Sequence, residues 1–231
     1  MDISFCIVNL NAKNLIVNCL NSIQNSILNQ SYEILVIDNN SSDGSRELIL
    51  KRFPDVYLIK KSRNIGYTRA INETIKKSIG NYKVILNPDT ILKNKSIYTL
   101  IDFLQKNKKV SIVGPKVINE DKSFQKSCRR GIATPSAVFS YFFGLAKLFP
   151  LNKKFNGYHL NYLDKNKIHA VKGVSGSCMV IKNELFRHIG YFDEQFFAYQ
   201  EDSDFCLRAL KKGYQVYYNP DSIVTHIGGR G

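Results

Sequence analysis

Five short apolar runs, at residues 3–8, 32–38, 56–60, 83–86 and 111–114, recur through the first half of the chain, with helical patterns near 15–28, 44–53, 68–78 and 95–106 between them. Runs this short and continuously apolar are the pattern of strands buried on both faces. Strands alternating with helices make βαβ units, so the expected fold is α/β, with a mostly parallel, Rossmann-like central sheet flanked by helices. Ser42 or Asp43 is placed to cap the second helix, since its side-chain oxygen can accept from the unpaired N–H groups of the first turn.

The second half is less regular. It reads as a loop-rich or antiparallel portion at 115–130 and an aromatic, helical stretch at 135–149. A strand at 174–181, helices at 183–189 and 204–211, and closing strands at 216–218 and 223–226 follow. No internal repeat is visible. With 231 residues and 44% hydrophobic content the chain has ample material for a core and fits one large domain or two small ones.

In a parallel sheet ligands bind beyond the carboxyl ends of the strands, so polar clusters directly after strands are the places to examine. There are three: Asn9-Leu10-Asn11, then Asp38-Asn39-Asn40-Ser41-Ser42-Asp43-Gly44, then Asn87-Pro88-Asp89-Thr90. All three are expected on one edge of the sheet. Turn formation and helix capping are the plainer roles for single Asx residues, and for Asp43 that role stands level with ligand binding. Asp38 and Asp89 each end an apolar run directly, where a carboxylate aims into the crevice: one suits a base or ribose, the other a cation.

The run from Ile34 through Asp38 to Gly44 resembles the first nucleotide-binding segment of glycosyltransferase family 2, and Arg63-Asn64-Ile65-Gly66-Tyr67 resembles the second. Leu86-Asn87-Pro88-Asp89-Thr90 is similar to the metal-binding D-x-D motif, in the N-P-D form of rhamnosyltransferase-like members. Asn87 stands where the first Asp would be. The segment Gly173 to Lys182 and the run from Gly190 to Arg208, which contains Glu201-Asp202-Ser203-Asp204, resemble the acceptor side. His226-Ile227-Gly228-Gly229-Arg230 resembles the H-x-G-G-R segment.

The resemblance implies a GT-A fold, with a nucleotide-sugar-binding half at 1–114 and a smaller, partly antiparallel acceptor-binding half at 115–231. It implies nucleotide-sugar contacts from Asn9, Asn11, Asp38, Asn39, Ser41, Asp43, Asn64, Gly66, Asn87, Asp89 and Arg230. Asp89 and His226 are the implied metal ligands, Asp202 the general base, and Glu201 and Gly176 the acceptor contacts. Related enzymes continue past the position of Gly231, so a C-terminal extension is expected to be missing.

The chemistry suits these residue types. A departing nucleoside diphosphate gains negative charge that a divalent cation neutralises; oxygen ligands suit Mg²⁺, and an imidazole ligand tilts the choice toward Mn²⁺. The acceptor hydroxyl must lose a proton, and a carboxylate such as Asp202 can take it. A single base with no second carboxylate nucleophile implies inversion. The plainer roles are helix-dipole stabilisation by Glu201, Asp202 and Asp204, to which Asp204 is mainly assigned, and a structural histidine at 226.

Net charge is +14, from 33 Lys and Arg against 19 Asp and Glu, which favours an anionic partner: nucleic acid, acidic lipid or phosphorylated substrate. Paired lysines such as Lys60-Lys61 and Lys76-Lys77 read as solvated faces, and acids at the strand ends argue against nucleic acid. Five widely spaced cysteines suggest neither disulfides nor a zinc site and fit the cytoplasm. No secretory signal is read at the N-terminus, and the longest uncharged run, 131–146, is shorter than the roughly 20 residues that span a bilayer. The aromatic stretch 135–149 is either a core or partner-facing helix or a peripheral membrane contact, the latter fitting a lipid-linked saccharide acceptor. Two other functions compete: a catalytically inactive nucleotide-sugar-binding scaffold, and a sugar nucleotidyltransferase, for which Asn9-Leu10-Asn11-Ala12-Lys13 lacks the Gly-rich phosphate loop. The sequence leaves oligomeric state open.

Overall fold

The computed structural model describes residues 1–26, 30–132, 143, 148–149, 152–153, 155–158 and 160–228. Four strands, β1 (Ile3–Asn9), β2 (Tyr32–Asp38), β3 (Tyr57–Lys60) and β4 (Tyr82–Leu86), run parallel in the order β3-β2-β1-β4. Every residue of β1 is buried, which its continuous apolar run anticipates. β3 lies at the edge and is half exposed.

Three of the four connecting helices are amphipathic. α1 (Lys13–Ser26) buries Ile16, Cys19, Leu20 and Ile23, and α3 (Tyr67–Lys77) buries Thr68, Ile71, Asn72 and Ile75, the i, i+3, i+4, i+7 spacing of one helix face. α2 is Ser45–Arg52, and α4 (Ser96–Lys106) packs on the far half of the sheet through Ile97, Leu100, Ile101 and Leu104.

The sheet continues through β10 (Cys178–Lys182), antiparallel to β4, then β6 (Val110–Ile118), β11 (Gln215–His226) and β5 (Thr90–Leu92). β8 (His169–Ala170) pairs with β11, giving nine strands among the described residues. Six of them share one direction, so the sheet is mixed but mostly parallel. β7 (Arg129–Arg130) and β9 (Gly173–Val174) form a separate antiparallel pair. α5 (Asn183–Ile189) and α6 (Glu201–Lys211) complete the described helices.

Three local expectations change. The helix expected at 204–211 starts three residues earlier, at Glu201, because Tyr199 and Gln200 both take positive φ, 69° each, and turn the chain sharply into it. The two closing strands are one twelve-residue strand, β11, whose irregularity between Asn219 and Ile223 absorbs the turn-like Asn219-Pro220-Asp221. The cap position of α2 is Gly44, at φ 80°, with no side-chain cap. Asp43 acts one residue earlier, accepting from the N–H of Ser45 (3.0 Å) at the start of α2 and from that of Lys13 (2.8 Å) at the start of α1. The stretch 135–149 lies mostly outside the described residues; Phe143, Leu148 and Phe149 within it are exposed.

Candidate active site

Strand order reverses between β1 and β4, and the crevice beyond their carboxyl ends is where such sheets take ligands. The first two polar clusters meet there. Asp38, fully buried, accepts from Asn9 Nδ2 (2.9 Å) and the N–H of Ser41 (2.9 Å) and is ion-paired with Arg46. Burial pushes its carboxyl up, but the bonds from Ser41, Arg46 and Asn9 outweigh this and hold it below the usual range. Ser41 Oγ accepts from Asn9 Nδ2 (3.1 Å) and from the N–H of Asn11 (2.9 Å), and Asn11 Oδ1 accepts from the N–H of Ser42 (2.8 Å). Asp38 is therefore the anchor of a loop whose outer surface is Asn11, Asn40 and Ser42, all exposed.

Asn39 joins this loop to the next. Its Nδ2 donates to Asn64 Oδ1 (2.7 Å), its Oδ1 accepts from the N–H of Ile65 (2.9 Å), and Asn64 Oδ1 also accepts from the N–H of Gly66 (2.9 Å).

At the end of β4, Asp89 is 14% and His226 15% exposed in their side chains, with Oδ1 and Nε2 3.1 Å apart. Pairing of β5 with β11 sets His226 opposite Thr90, next to Asp89. An amide chain fixes the imidazole: Asn119 Nδ2 donates to Ser123 Oγ (2.7 Å) and Gln125 Nε2 to Asn119 Oδ1 (2.9 Å), so Gln125 turns Oε1 to His226 Nδ1 at 3.0 Å. Nε2 faces the Asp89 carboxylate, so an imidazole nitrogen and a carboxylate oxygen stand side by side. Asn87 Nδ2 lies 3.3 Å from Nε2, and the N–H of Gly228 donates to Asp89 Oδ2 (3.1 Å). Burial raises the Asp89 carboxyl, yet His226 and the Gly228 N–H bring it below the usual range. A carboxylate and an imidazole with an oriented second nitrogen are a donor set suited to a divalent cation. No group of three or more His, Cys, Asp or Glu gathers among the described residues, so other ligand positions would fall to substrate or water.

A further acidic group stands at the start of α6. Asp202, 6% exposed, receives Arg130 Nη1 (2.8 Å) and the N–H of Ser203 (2.7 Å) on Oδ1, and the N–H of Gly176 (2.9 Å) on Oδ2. A Cβ at Gly176 would stand 3.8 Å from Asp202 Oδ2 and 3.9 Å from Tyr67 Oη, so its bare face opens between those oxygens. Glu201, 7% exposed, has Oε2 unpaired; burial first, and Asp202 next, push its carboxyl up to about 7. Asp204 bonds instead with Arg208 (2.7 Å), one turn on. The backbone carbonyl of Ser177, the residue after Gly176, accepts from the N–H of Asn87 (3.1 Å), linking this group to the Asp89 pair.

A model of glycosyl transferase family 2 matches residues 4–190. The chain belongs to that family. Rhamnosyltransferases are among the relatives of this family 2 chain. The N-acetylglucosaminyl-diphospho-decaprenol L-rhamnosyltransferase of Mycobacterium tuberculosis is 29% identical over 205 residues, covering 84% of the chain and 66% of the relative. The dTDP-rhamnosyl transferase RfbF of Shigella flexneri is 28% identical over 223 residues, covering 91% and 64%. The chain thus spans just under two thirds of these relatives. Among solved structures, the mannosyltransferase PcManGT from Pyrobaculum calidifontis in complex with GDP-Man and Mn²⁺ aligns with TM-score 0.67 at 17% identity, covering 99% of this chain and 58% of that one. S. aureus TarS 1–349 in complex with UDP-GlcNAc aligns with TM-score 0.68 at 14% identity, covering 100% and 60%. The fold is GT-A.

The structure gathers Asn9, Asn11, Asp38, Asn39, Ser41, Asn64 and Gly66 in one network, Asn87, Asp89 and His226 in a second, and Gly176, Glu201 and Asp202 in a third. Asp43 sits at the foot of the first, spanning two helix starts. Arg230 lies outside the described residues. Sequence reasoning missed Arg46, Gln125, Arg130 and the hydroxyl of Tyr67. Tyr67 stood inside a quoted motif and could have been weighed; the other three act across loops whose sequence carries no pattern. Among the described residues no helix is long and apolar enough to cross a membrane, and all five cysteines are buried and unpaired.

Proposed function

We propose that this chain is an inverting hexosyltransferase that moves a sugar, rhamnose first, from a dTDP- or UDP-activated donor. The acceptor is a hydroxyl of a saccharide or lipid-linked saccharide in cell-surface polysaccharide synthesis. The observation that carries this reading is the joining of two acid centres, Asp89 with His226 and Asp202 with Glu201, through the Gly176-Ser177 backbone at the carboxyl ends of the parallel strands. The rhamnosyl transferases among its relatives support the choice of sugar.

In this reading the exposed groups of the Asn11–Ser42 and Asn64–Gly66 loops bind the nucleoside, with Asp38 holding the first loop in shape. Asp89 and His226 would hold a divalent cation, Mn²⁺ or Mg²⁺, which when bound offsets the charge of the leaving diphosphate. The acceptor oxygen bonds to the anomeric carbon as the bond from that carbon to the diphosphate oxygen breaks, its electron pair leaving with the nucleoside diphosphate. Asp202 takes the acceptor's proton on Oδ2, whose free lone pair opens over Gly176, while Arg130 holds Oδ1. Direct displacement from the opposite face inverts the anomeric centre. Unpaired cysteines throughout the described residues favour a cytoplasmic setting. Peripheral membrane contact through 135–149 remains part of this proposal.

The test is the unfolding midpoint with UDP, dTDP, GDP or CDP, each with Mn²⁺, Mg²⁺ or EDTA, repeated on Asp89→Ala, followed by product analysis with the matching nucleotide sugar. Ligands that bind only the folded chain raise the midpoint. A metal-dependent rise with one nucleotide, lost in the variant, and an inverted product are expected. Substitution of the first motif Asp by Asn87 favours the inactive-scaffold reading, and a nucleotide rise without turnover would establish it.

A further inference from the structure

Two buried polar atoms at the meeting of the donor and acceptor halves have no hydrogen-bond partner: Oη of Tyr67 and Oε2 of Glu201. They belong to one neighbourhood. Burial raises the Tyr67 phenol well above its ordinary range, and the charges of Glu201, then Asp202, add to this. Gly176 supplies the open side, since the place of its missing Cβ lies 3.9 Å from Tyr67 Oη and 3.8 Å from Asp202 Oδ2. Buried oxygens are rarely left unpaired, and a phenol beside the bare face of Gly176, with an unpaired carboxyl on the residue before Asp202, calls for a group that both donates and accepts. A phenol donates and accepts, and a carboxyl does either according to its protonation, which together match a sugar hydroxyl. Tyr67 is also rigidly held. The Asn39 and Asn64 bonds fix the backbone just before it, and its own N–H is bound to the Phe197 carbonyl at 2.8 Å.

We propose that Tyr67 Oη and Glu201 Oε2 form a hydroxyl-reading subsite beside Asp202, over the bare face of Gly176, which receives the acceptor sugar's hydroxyl next to the one that reacts. This rests on the glycosyltransferase reading and deepens it: the acceptor presents two neighbouring hydroxyls, one to Asp202 and one to the Tyr67 subsite. Tyr67 acts as a specificity-determining residue, and a simple alcohol with a single hydroxyl would leave its phenol unpaired.

The experiment is saturation-transfer NMR of L-rhamnose, N-acetylglucosamine, glucose and galactose at millimolar concentration. Each is measured with saturating nucleotide and Mg²⁺, on the wild-type chain, Tyr67→Phe and Glu201→Gln. At least one sugar is expected to bind the wild type, and about tenfold more weakly to each variant. The nucleotide-induced rise in unfolding midpoint stays as in the wild type, and the ligand-free midpoint of Tyr67→Phe is equal or higher, because only an unpaired hydroxyl is removed. A purely structural Tyr67 would lower that midpoint. Equal sugar binding by all three proteins overturns the proposal, as does absence of sugar binding while the nucleotide still binds. Absence of any nucleotide effect removes the glycosyltransferase reading, and the subsite with it.

Discussion

The carbonyl oxygen of Phe197 accepts from the N–H of Tyr67 at 2.8 Å and from that of Thr68 at 3.4 Å, so the loop before α6 caps α3. α3 has no side-chain cap of its own, and Phe197 takes that place from the other half of the chain. Gly66 makes the approach possible: its φ is 84°, and a Cβ there would stand 2.8 Å from Phe197 Cδ2 and 3.0 Å from Phe197 O. The ring can swing aside but the carbonyl cannot. Gly66→Ala should therefore cost about 2 kcal/mol in urea unfolding and quicken proteolysis at residues 196–200. Wild-type stability in that variant would show that the loop is not clamped.

Glu201 sets a pH dependence. Its carboxyl lies at about 7 in the folded chain against an ordinary 4.5, with Asp202 and Arg130 as its charged neighbours. The folded state thus holds a proton that the unfolded chain has lost, and stability falls as pH rises from about 4.5 through about 7, then levels. Glu201→Gln should remove that fall, gaining up to about 3 kcal/mol on the wild type at pH 8 relative to pH 4.5. Parallel stability curves for the two proteins would contradict it.

Gln125 holds the orientation of His226, with its Oε1 3.0 Å from Nδ1. Gln125→Leu leaves the imidazole free to turn, and manganese affinity, read by electron paramagnetic resonance titration, should drop about 10–100-fold while the fold is retained. An unchanged affinity would remove His226 from the metal site.

Arg130 and Asp202 form a nearly buried pair, with side chains 16% and 8% exposed. Arg130→Met leaves a buried carboxylate unpaired and should destabilise by about 3 kcal/mol, whereas Asp202→Asn should lower turnover about 10²–10⁴-fold with nucleotide binding intact. In the double variant the stability losses should sum to less than their parts. Strict additivity would mean that the pair contributes nothing as a pair.

The first half was legible because β1, β2 and β4 are continuous apolar runs and α1, α3 and α4 each show one apolar face, so β1 to β4 and α1 to α4 follow from residue pattern alone, with bounds shifted by at most two residues. β5 escaped notice because three residues carry no period. The start of α6 was misplaced because its entry depends on two positive-φ residues, Tyr199 and Gln200, that no composition rule favours. The candidate acids were legible at strand ends and in the Glu201-Asp202 run. Arg130, 72 residues from Asp202, and Gln125, 101 from His226, enter only through tertiary contact.

β11 pairs with β5 so that Val224, Thr225 and His226 face Leu92, Ile91 and Thr90 in turn, while a register shift lies upstream, between Asn219 and Ile223. Successive side chains of a strand point to opposite faces, so one residue inserted after Ile223 would send the imidazole to the wrong side of the sheet. One inserted within 219–223 meets a strand that is already out of step and can be looped out there. Length variation in this segment is therefore tolerable before Ile223 and forbidden after it, which gives a rule for grafting the closing strand between related chains.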